Sequence, residues 1–290
     1  MIKVLMVGKN SYIGNRLFEY ITSKNNHTSN EIEIKIDIVD SYNEWKEVSY
    51  NDYDSVIFVA GIAHRKQTPQ NRDLYYLVNR DLALEVAKKA TEPNTNIKQF
   101  IYLSSMSVYG KKVGEIAMHT TPTPRHNDYY GQSKYEAETL LSQNPQINEI
   151  LAIVRPPMVY GAKCPGKFGD LVKFSKYMPI IPNAKNKRSM IYIDNLCEFL
   201  YSLIIHKSVG VFCPQNPEYT NTSELVKLIR KAQGKNTLLC PGKIFMNICA
   251  KILPPINTAF GTLYYTKELS ATDNHYQLVN LEDSVRHSIV

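Results

Sequence analysis

Cysteine is sparse in this chain and poorly spaced for chemistry: five residues, Cys164, Cys197, Cys213, Cys240 and Cys249, odd in number and without a C-x-x-C pair. That pattern argues against a disulfide framework or a zinc cluster and is the usage of a reducing compartment, the cytoplasm. The seven histidines are dispersed without ligand spacing, so no metal site is expected. No apolar run approaches the roughly 18 residues a membrane span needs, and Met1 leads straight into a strand pattern rather than a charged and then apolar leader. Neither membrane insertion nor a secretory signal is therefore expected. No internal repeat or low-complexity segment interrupts the sequence. A basic helix interleaved with aromatics is missing too, so the formal net charge of +7 reads as a solvated basic surface with a few cations near an anionic small molecule, and not as a nucleic-acid interface.

What is present is a chain of 290 residues, 43% apolar, long enough for one large α/β unit with a smaller appended part. Residues 2–7 (IKVLMV) read as a strand closed by Gly8, and Ile13, Leu17 and Ile21 recur at four-residue spacing, predicting a helix over 12–24. The turn between them, GKNSYIG, lets backbone approach a pyrophosphate, and the helix N-terminus behind it offers free amides and a positive dipole end. Gly8, Asn10, Ser11, Tyr12, Ile13 and Gly14 are the candidate phosphate-loop residues. The alternating IEIKIDIVD predicts a second strand. In dinucleotide folds an acid near its end holds the adenosine ribose, which selects Asp40 first and Asp37 second. An acid there repels the extra phosphate of NADP and Lys9 would attract it; the balance leans to NAD, with NADP left open.

DYDSVIFVAG predicts the third strand, with Ala60 and Gly61 passing close to the cofactor. A helix follows over 71–91, with Leu74, Leu77, Val78, Leu82 and Val86 along one side, then strands in IKQFIYLSS and EILAIVRPP, and a further helix over 222–233. Residues 238–265 are apolar with few charges and predict a helix packing on the smaller part, with a membrane-surface contact as the second reading. His64, after VAGIA, reads as a hydrogen-bonded core or rim histidine.

The chemistry concentrates at residues 104–134. The helix start DYYGQSKYEAETLL puts Tyr130 and Lys134 four residues apart on one face. A phenol with a pKa of about 10 becomes a plausible base only if a neighbouring ammonium favours the phenolate; a drop of about 3 units needs roughly 4 kcal/mol. Ser105, at the end of the preceding apolar strand, can share a substrate oxygen with the tyrosine. By itself the pair also fits an ordinary surface face of a helix.

Taken together, Gly8 to Gly14, Ser104-Ser105 before VYG, Tyr130 with Lys134, and RPPMVYG at 155–161 occur in the order of the extended short-chain dehydrogenase/reductases. The chain resembles the NAD-dependent sugar-nucleotide epimerase/dehydratases of that family over about residues 1–215. Ser11 stands where the family pattern has its middle glycine. The resemblance implies a Rossmann-like doubly wound parallel sheet with a smaller C-terminal α/β substrate-binding part: residues 1–160 bind the dinucleotide, 188–215 return to that unit, and 161–187 with 216–290 form the smaller part. It implies Ser105, Tyr130 and Lys134 as the catalytic set and Asn79 beneath the site. Ser104 and Pro156 then lie along the cofactor, Ser107 at the substrate, and Arg188, just before the strand in SMIYI, on the substrate diphosphate. Dehydratases of the family carry an Asp-Glu pair after the catalytic hydroxyl, and the 3,5-epimerase/reductases a cysteine where Ser107 stands. Met106 and Ser107 occupy those places here, which leaves hydride chemistry at carbon 4. The expected activities are a nucleotide-sugar 4-epimerase or a 4-ketoreductase, UDP-linked substrates first, with a non-catalytic dinucleotide sensor as the reading from another class and a homodimer as the expected assembly.

Overall fold

A computed structural model describes residues 1–27, 32–241, 260–272 and 275–289. The first half alternates strand and helix: β1 (Ile2–Val7), α1 (Tyr12–His27), β2 (Ile34–Val39), the short α2 (Glu44–Glu47), β3 (Ser55–Phe58), α3 (Arg72–Tyr76), α4 (Leu82–Ala90), β4 (Gln99–Leu103), β5 (Gly114–Ile116) and α5 (Tyr129–Gln143). The second half continues with α6 (Pro145–Asn148), β6 (Leu151–Val154), β7 (Met158–Tyr160), α7 (Lys167–Ser175), β8 (Ile180–Pro182), β9 (Met190–Tyr192), α8 (Ile193–His206), β10 (Gly210–Phe212), α9 (Thr222–Ala232), β11 (Leu238–Cys240), β12 (Leu263–Tyr265) and α10 (Leu281–Ser288).

Six strands form one parallel sheet in the order β10-β6-β4-β3-β1-β2. Because a parallel sheet is covered on both faces, its strands are near-continuous apolar runs, and β3, β4 and β6 are buried at every position. One face packs on α1 and α8 through Leu17, Ile21, Leu196 and Leu200. The other packs on α4 and α5 through Ala83, Val86, Ala87, Ala137 and Leu141. Three parallel two-stranded ribbons lie outside this sheet: β7 with β9, β8 with β11, and β12 with β5. The apolar cluster beneath α1 and α8 is continuous from Val4 and Met6 to Tyr276 and Val285, so the C-terminal α10 is tied to the main core.

The sheet order reverses between β1 and β3, the place where open α/β sheets bind ligands beyond their carboxyl ends. Gly8 leaves β1 there with φ 131°, and a β-carbon on it would stand 2.7 Å from the Ala60 amide nitrogen just past β3.

The helix expected over 71–91 is divided. A five-residue π-turn, Leu77–Asp81, separates α3 from α4 and shifts the buried face: Tyr75 and Tyr76 point inward, while Leu74 and Leu77, expected on the apolar side, are exposed. The ends of the segment expected to be one helix over 238–265 are instead β11 and β12; its middle, 242–259, lies outside the described residues.

Replacing Gly8 by Ala forces a side chain into a left-handed backbone against Ala60. At about 1–3 kcal/mol of strain, plus the clash, the thermal midpoint of Gly8→Ala should fall by roughly 4–10 °C, read by calorimetry against wild type. An unchanged midpoint would show that β1 and β3 do not approach as described.

Candidate active site

The phosphate-loop candidates lie together at the switch point. Ser11 occupies the place of a middle glycine without strain: its amide donates to the Gly8 carbonyl at 2.9 Å and its hydroxyl accepts from the Gly14 amide at 3.2 Å, starting α1. Lys9 and Asn10 are exposed and Tyr12 and Ile13 half-buried at the open end of α1, where the first-turn amides have no helical partner. The Tyr12 hydroxyl donates to the Ala162 carbonyl at 3.0 Å, which ties the loop after β7 to this end of α1.

At the tip of β2 the Asp40 carboxylate accepts from the amides of Tyr42, Asn43 and Glu44 at 2.8–3.1 Å, and these bonds hold it below the usual carboxylate range. All three use one oxygen, Oδ1. Asp37, the second choice, instead accepts the Tyr53 hydroxyl at 3.0 Å. Lys9 lies 3.7 Å from Glu44, so the one cation of the loop already faces a carboxylate.

The catalytic candidates meet at the carboxyl end of β4. Ser105 is extended there, and its hydroxyl accepts the Ser107 amide at 3.1 Å and donates to the Ser107 hydroxyl at 3.2 Å. Asp128 caps α5 by accepting the Gly131 amide at 3.1 Å. A β-carbon on Gly131 would sit 2.9 Å from the Ser107 carbonyl oxygen, and only a glycine here lets the first turn of α5 lie against Ser107. The Tyr130 phenol is thereby brought beside the Ser105 hydroxyl, near enough to feel it.

Lys134 is 4% exposed. Its Nζ donates to the Leu103 carbonyl at 2.8 Å and lies 4.7 Å from the centre of the Tyr102 ring. Burial pulls the ammonium down to about 7, with the Glu138 charge acting against that pull.

The expected phenol lowered by its lysine is not realised. Burial raises Tyr130 above the ordinary tyrosine value, the Ser105 hydroxyl acts against this, and the Asp128 charge adds to it. The physical reason is that Lys134 is turned onto Leu103 and Tyr102 and is itself close to losing its charge at neutral pH.

Asn79 lies in the π-turn, fully buried, and binds three elements together. Its Oδ1 accepts the Ile62 amide at 2.8 Å, its Nδ2 donates to the Ser133 hydroxyl at 3.0 Å, and its carbonyl accepts the Tyr102 hydroxyl at 2.8 Å. A β-carbon on Gly61 would lie 3.1 Å from Asn79 Oδ1 and 3.4 Å from Lys134 Nζ, so the exposed backbone at Gly61 passes close to the buried amide and ammonium. Pro156 offers its carbonyl to the Met106 amide at 3.0 Å.

Sequence reasoning missed the support behind this set. Ser104 donates to Glu138, and Arg155 clamps the same carboxylate with bonds of 2.6–3.2 Å while its other arm donates to the Tyr109 hydroxyl at 2.9 Å. Glu138 is one turn past Lys134 on α5, a visible spacing; its partner Arg155 was visible only as part of a motif. Gln67, which accepts the Tyr130 amide at 3.3 Å and donates to Asp128 at 3.1 Å, comes from a loop sixty residues earlier and left no local sign.

Arg188 stands apart from the catalytic cluster. Its backbone bridges Thr220 and Leu263, its Nη1 donates to the Gly261 carbonyl at 3.0 Å, and burial lowers its guanidinium. Lys167, at the start of α7, is lowered by burial first and then by the charges of Arg188 and Arg125, with the Asp128 charge acting the other way. His64 is a rim residue with φ 59°, against Gly166. Among the described residues no group of His, Cys, Asp and Glu could hold a metal ion.

Residues 4–212 match the model of the NAD dependent epimerase/dehydratase family. A UDP-glucose 4-epimerase from Vibrio cholerae is 26% identical over 263 residues, 83% of this chain and 79% of that protein. Among solved structures, a UDP-glucuronic acid 4-epimerase from Bacillus cereus in complex with NAD superposes with TM-score 0.70 at 19% identity, covering 99% of this chain and 97% of that one. A dTDP-4-dehydrorhamnose reductase from Clostridium acetobutylicum gives TM-score 0.65 at 17% identity over 83% of each chain. At these identities the structural likeness is one of fold.

The folded Lys134, at about 7, titrates well below the ordinary lysine value of about 10.4. Between those limits the unfolded chain binds more protons, so stability contributed through Lys134 rises with pH. Denaturant unfolding at pH 7, 8 and 9 should show wild type gaining on Lys134→Met by about 1 kcal/mol per pH unit. Parallel curves would mean that the folded ammonium keeps its proton.

Proposed function

The chain belongs to the NAD dependent epimerase/dehydratase family, and from that premise we propose that it interconverts a nucleoside-diphosphate sugar, UDP-linked first, between its carbon-4 epimers with NAD as the bound dinucleotide. The observation that carries this reading is the meeting of the Tyr130 phenol and the Ser105 hydroxyl at the end of β4, with the buried Lys134 ammonium one turn along α5. The likeness to a UDP-glucose 4-epimerase over 83% of the chain supports the reaction class. Met106 and Ser107 after Ser105 provide no carboxylate pair for water loss. A cytoplasmic location belongs to the same reading.

The residues present fit a dinucleotide. The Gly8–Gly14 loop, whose backbone packs against Ala60, and the open amides of α1 would hold a pyrophosphate. Asp40 would take the ribose hydroxyls, and with Lys9 facing Glu44 the loop has little to offer an extra phosphate, which favours NAD. When bound, the oxidised nicotinamide supplies the acceptor for hydride from carbon 4 and later gives it back. As the phenolate, Tyr130 would take the proton of the carbon-4 hydroxyl as the keto sugar forms and return it on reduction, with Ser105 placed to hydrogen-bond the same oxygen. Lys134, held by the Leu103 carbonyl one turn along α5, supports this end of the site from beneath. Arg188 would offer its planar fork to the diphosphate.

One observation favours 4-ketoreduction as the second reading. Burial moves the Tyr130 phenol further above neutral pH, toward the form that protonates a carbonyl oxygen. Incubation with UDP-, GDP- and dTDP-sugars separates the two: an epimer formed without net consumption of dinucleotide supports the epimerase, and stoichiometric oxidation of reduced dinucleotide replaces it with the reductase.

Tyr130→Phe removes only the acid/base hydroxyl, so turnover should fall ~10²–10⁴-fold while dinucleotide binding by titration stays within about twofold of wild type. Full turnover by the Phe variant would sink the chemistry. Arg188→Ala should act mainly on KM, since a diphosphate contact is equally strong in ground and transition states. A rise of about 10–100-fold is the scale of one charged hydrogen bond, with Arg188→Lys recovering part. Equal KM for wild type and the Ala variant across the sugar panel would reject the contact.

A further inference from the structure

The charge of this chain is not evenly spread. Residues 171–193 and 225–241 hold nine lysines and arginines and no aspartate or glutamate; the rest of the chain has 25 basic against 27 acidic residues. The positive charge therefore resides in these two segments, and the fold brings them side by side.

Arg230 of α9 holds them together from inside. It is 4% exposed, and its guanidinium donates to the carbonyls of Ser175 and Lys176 at 2.6 and 3.3 Å, to the carbonyl of Asn236 at 2.7 and 3.2 Å, and to the Thr237 hydroxyl at 3.0 Å. The end of α7 and the turn before β11 are thus fixed against each other. The Leu238 amide donates to the Pro179 carbonyl at 2.8 Å, Leu238 pairs with Ile180 across β11 and β8, and Lys235 Nζ donates to the Lys176 carbonyl at 3.1 Å.

What this frame displays is apolar and basic. Tyr177 is 83% exposed, Leu238 68% and Phe174 65%, with Ile180 and Leu239 exposed beside them. Lys173, Lys176 and Lys235 are exposed among them. Single exposed apolar side chains are normal on a protein surface, whereas a contiguous set marks an interaction site. Asp170 lies one turn before Phe174 on α7, and Glu282 pairs with Lys231 at 2.7 Å.

We propose that this face, the end of α7 with the β8–β11 ribbon, docks on the surface of an anionic bilayer. Aromatic and aliphatic tips enter the headgroup boundary while the lysines meet acidic headgroups, the combination that holds an interfacial surface. A nucleic acid would use the lysines and stack on Tyr177, but would leave Ile180, Leu238 and Leu239 in water; a second copy of the chain would meet the same lysines with its own. The contact lies outside the proposed catalytic set and stands independently of it.

The test is flotation of the full chain with vesicles of phosphatidylcholine alone or with about 30% phosphatidylglycerol. Wild type is expected to partition onto the anionic vesicles at least ~10-fold more than onto neutral ones, less so in high salt. At about fivefold per basic side chain, Lys173→Glu/Lys176→Glu/Lys235→Glu should lose on the order of a hundredfold or more. Phe174→Ser/Tyr177→Ser/Leu238→Ser should lose at least ~10-fold, both variants keeping wild-type circular dichroism. Equal partition onto both vesicle types, no partition at all, or wild-type behaviour of either variant overturns the proposal. So does displacement from vesicles by a short DNA duplex at equal phosphate, which assigns the face to nucleic acid. A variant whose vesicle loss is matched by a change from dimer to monomer in light scattering assigns it to a contact between copies and overturns the proposal equally.

Discussion

A buried ammonium has to be answered, and much of the centre of this molecule consists of answers to Lys134. One of its donors is taken by the Leu103 carbonyl, and the Tyr102 ring lies beneath it. The nearest opposite charge on its own helix, Glu138, is itself enclosed, so it needs Arg155 and Ser104 in turn. Removing one member of such a chain leaves another charge buried without a partner, which is more costly than never having built it. The arrangement therefore locks three elements, the ends of β4 and β6 and the middle of α5, around the phenol that the proposed chemistry uses. It also explains why Tyr130 and Lys134 must be read together: burial raises the phenol and lowers the ammonium, each toward its neutral form.

The sheet was legible because a parallel sheet buried on both faces has little choice of residue. IKVLMV, SVIF and LAIV are apolar but for Lys3 and Ser55, and the observed strands lie inside the expected stretches. Helices α1 and α9 were legible, expected over 12–24 and 222–233 and found at Tyr12–His27 and Thr222–Ala232. The region over 71–91 was not, because a four-residue spacing assumes an unbroken α-helix and the buried Asn79 amide breaks that assumption. The 238–265 stretch misled for another reason: apolar composition without period does not separate strand from helix, and its two ends are strands.

In the candidate site, residue identities were legible and their electrostatics were not. The spacing of Tyr130 and Lys134 put both on one face, as found, but which way an ammonium turns depends on a carbonyl from β4 and a ring beneath it. Ser11 is the opposite case. As a departure from a glycine pattern it weakened the motif, yet its hydroxyl starts the helix that the motif requires. Gln67 and Arg155 act over sixty and seventeen residues of sequence, distances at which only the folded chain can show a partnership.

The π-turn at Leu77–Asp81 has a meaning for how this helix can change. A π-turn holds one residue more than the α-helical turn it replaces, so each residue on one side of it is rotated by about 100° relative to the other. Deleting a single residue there would let α3 and α4 fuse, swinging Tyr75 and Tyr76 toward water and Leu74 and Leu77 toward the sheet, and parting Asn79 from Ile62 and Ser133. The segment thus contains two complete helical registers in one sequence, an apolar stripe suited to a plain helix and a polar anchor suited to the site. A single inserted position selects the second.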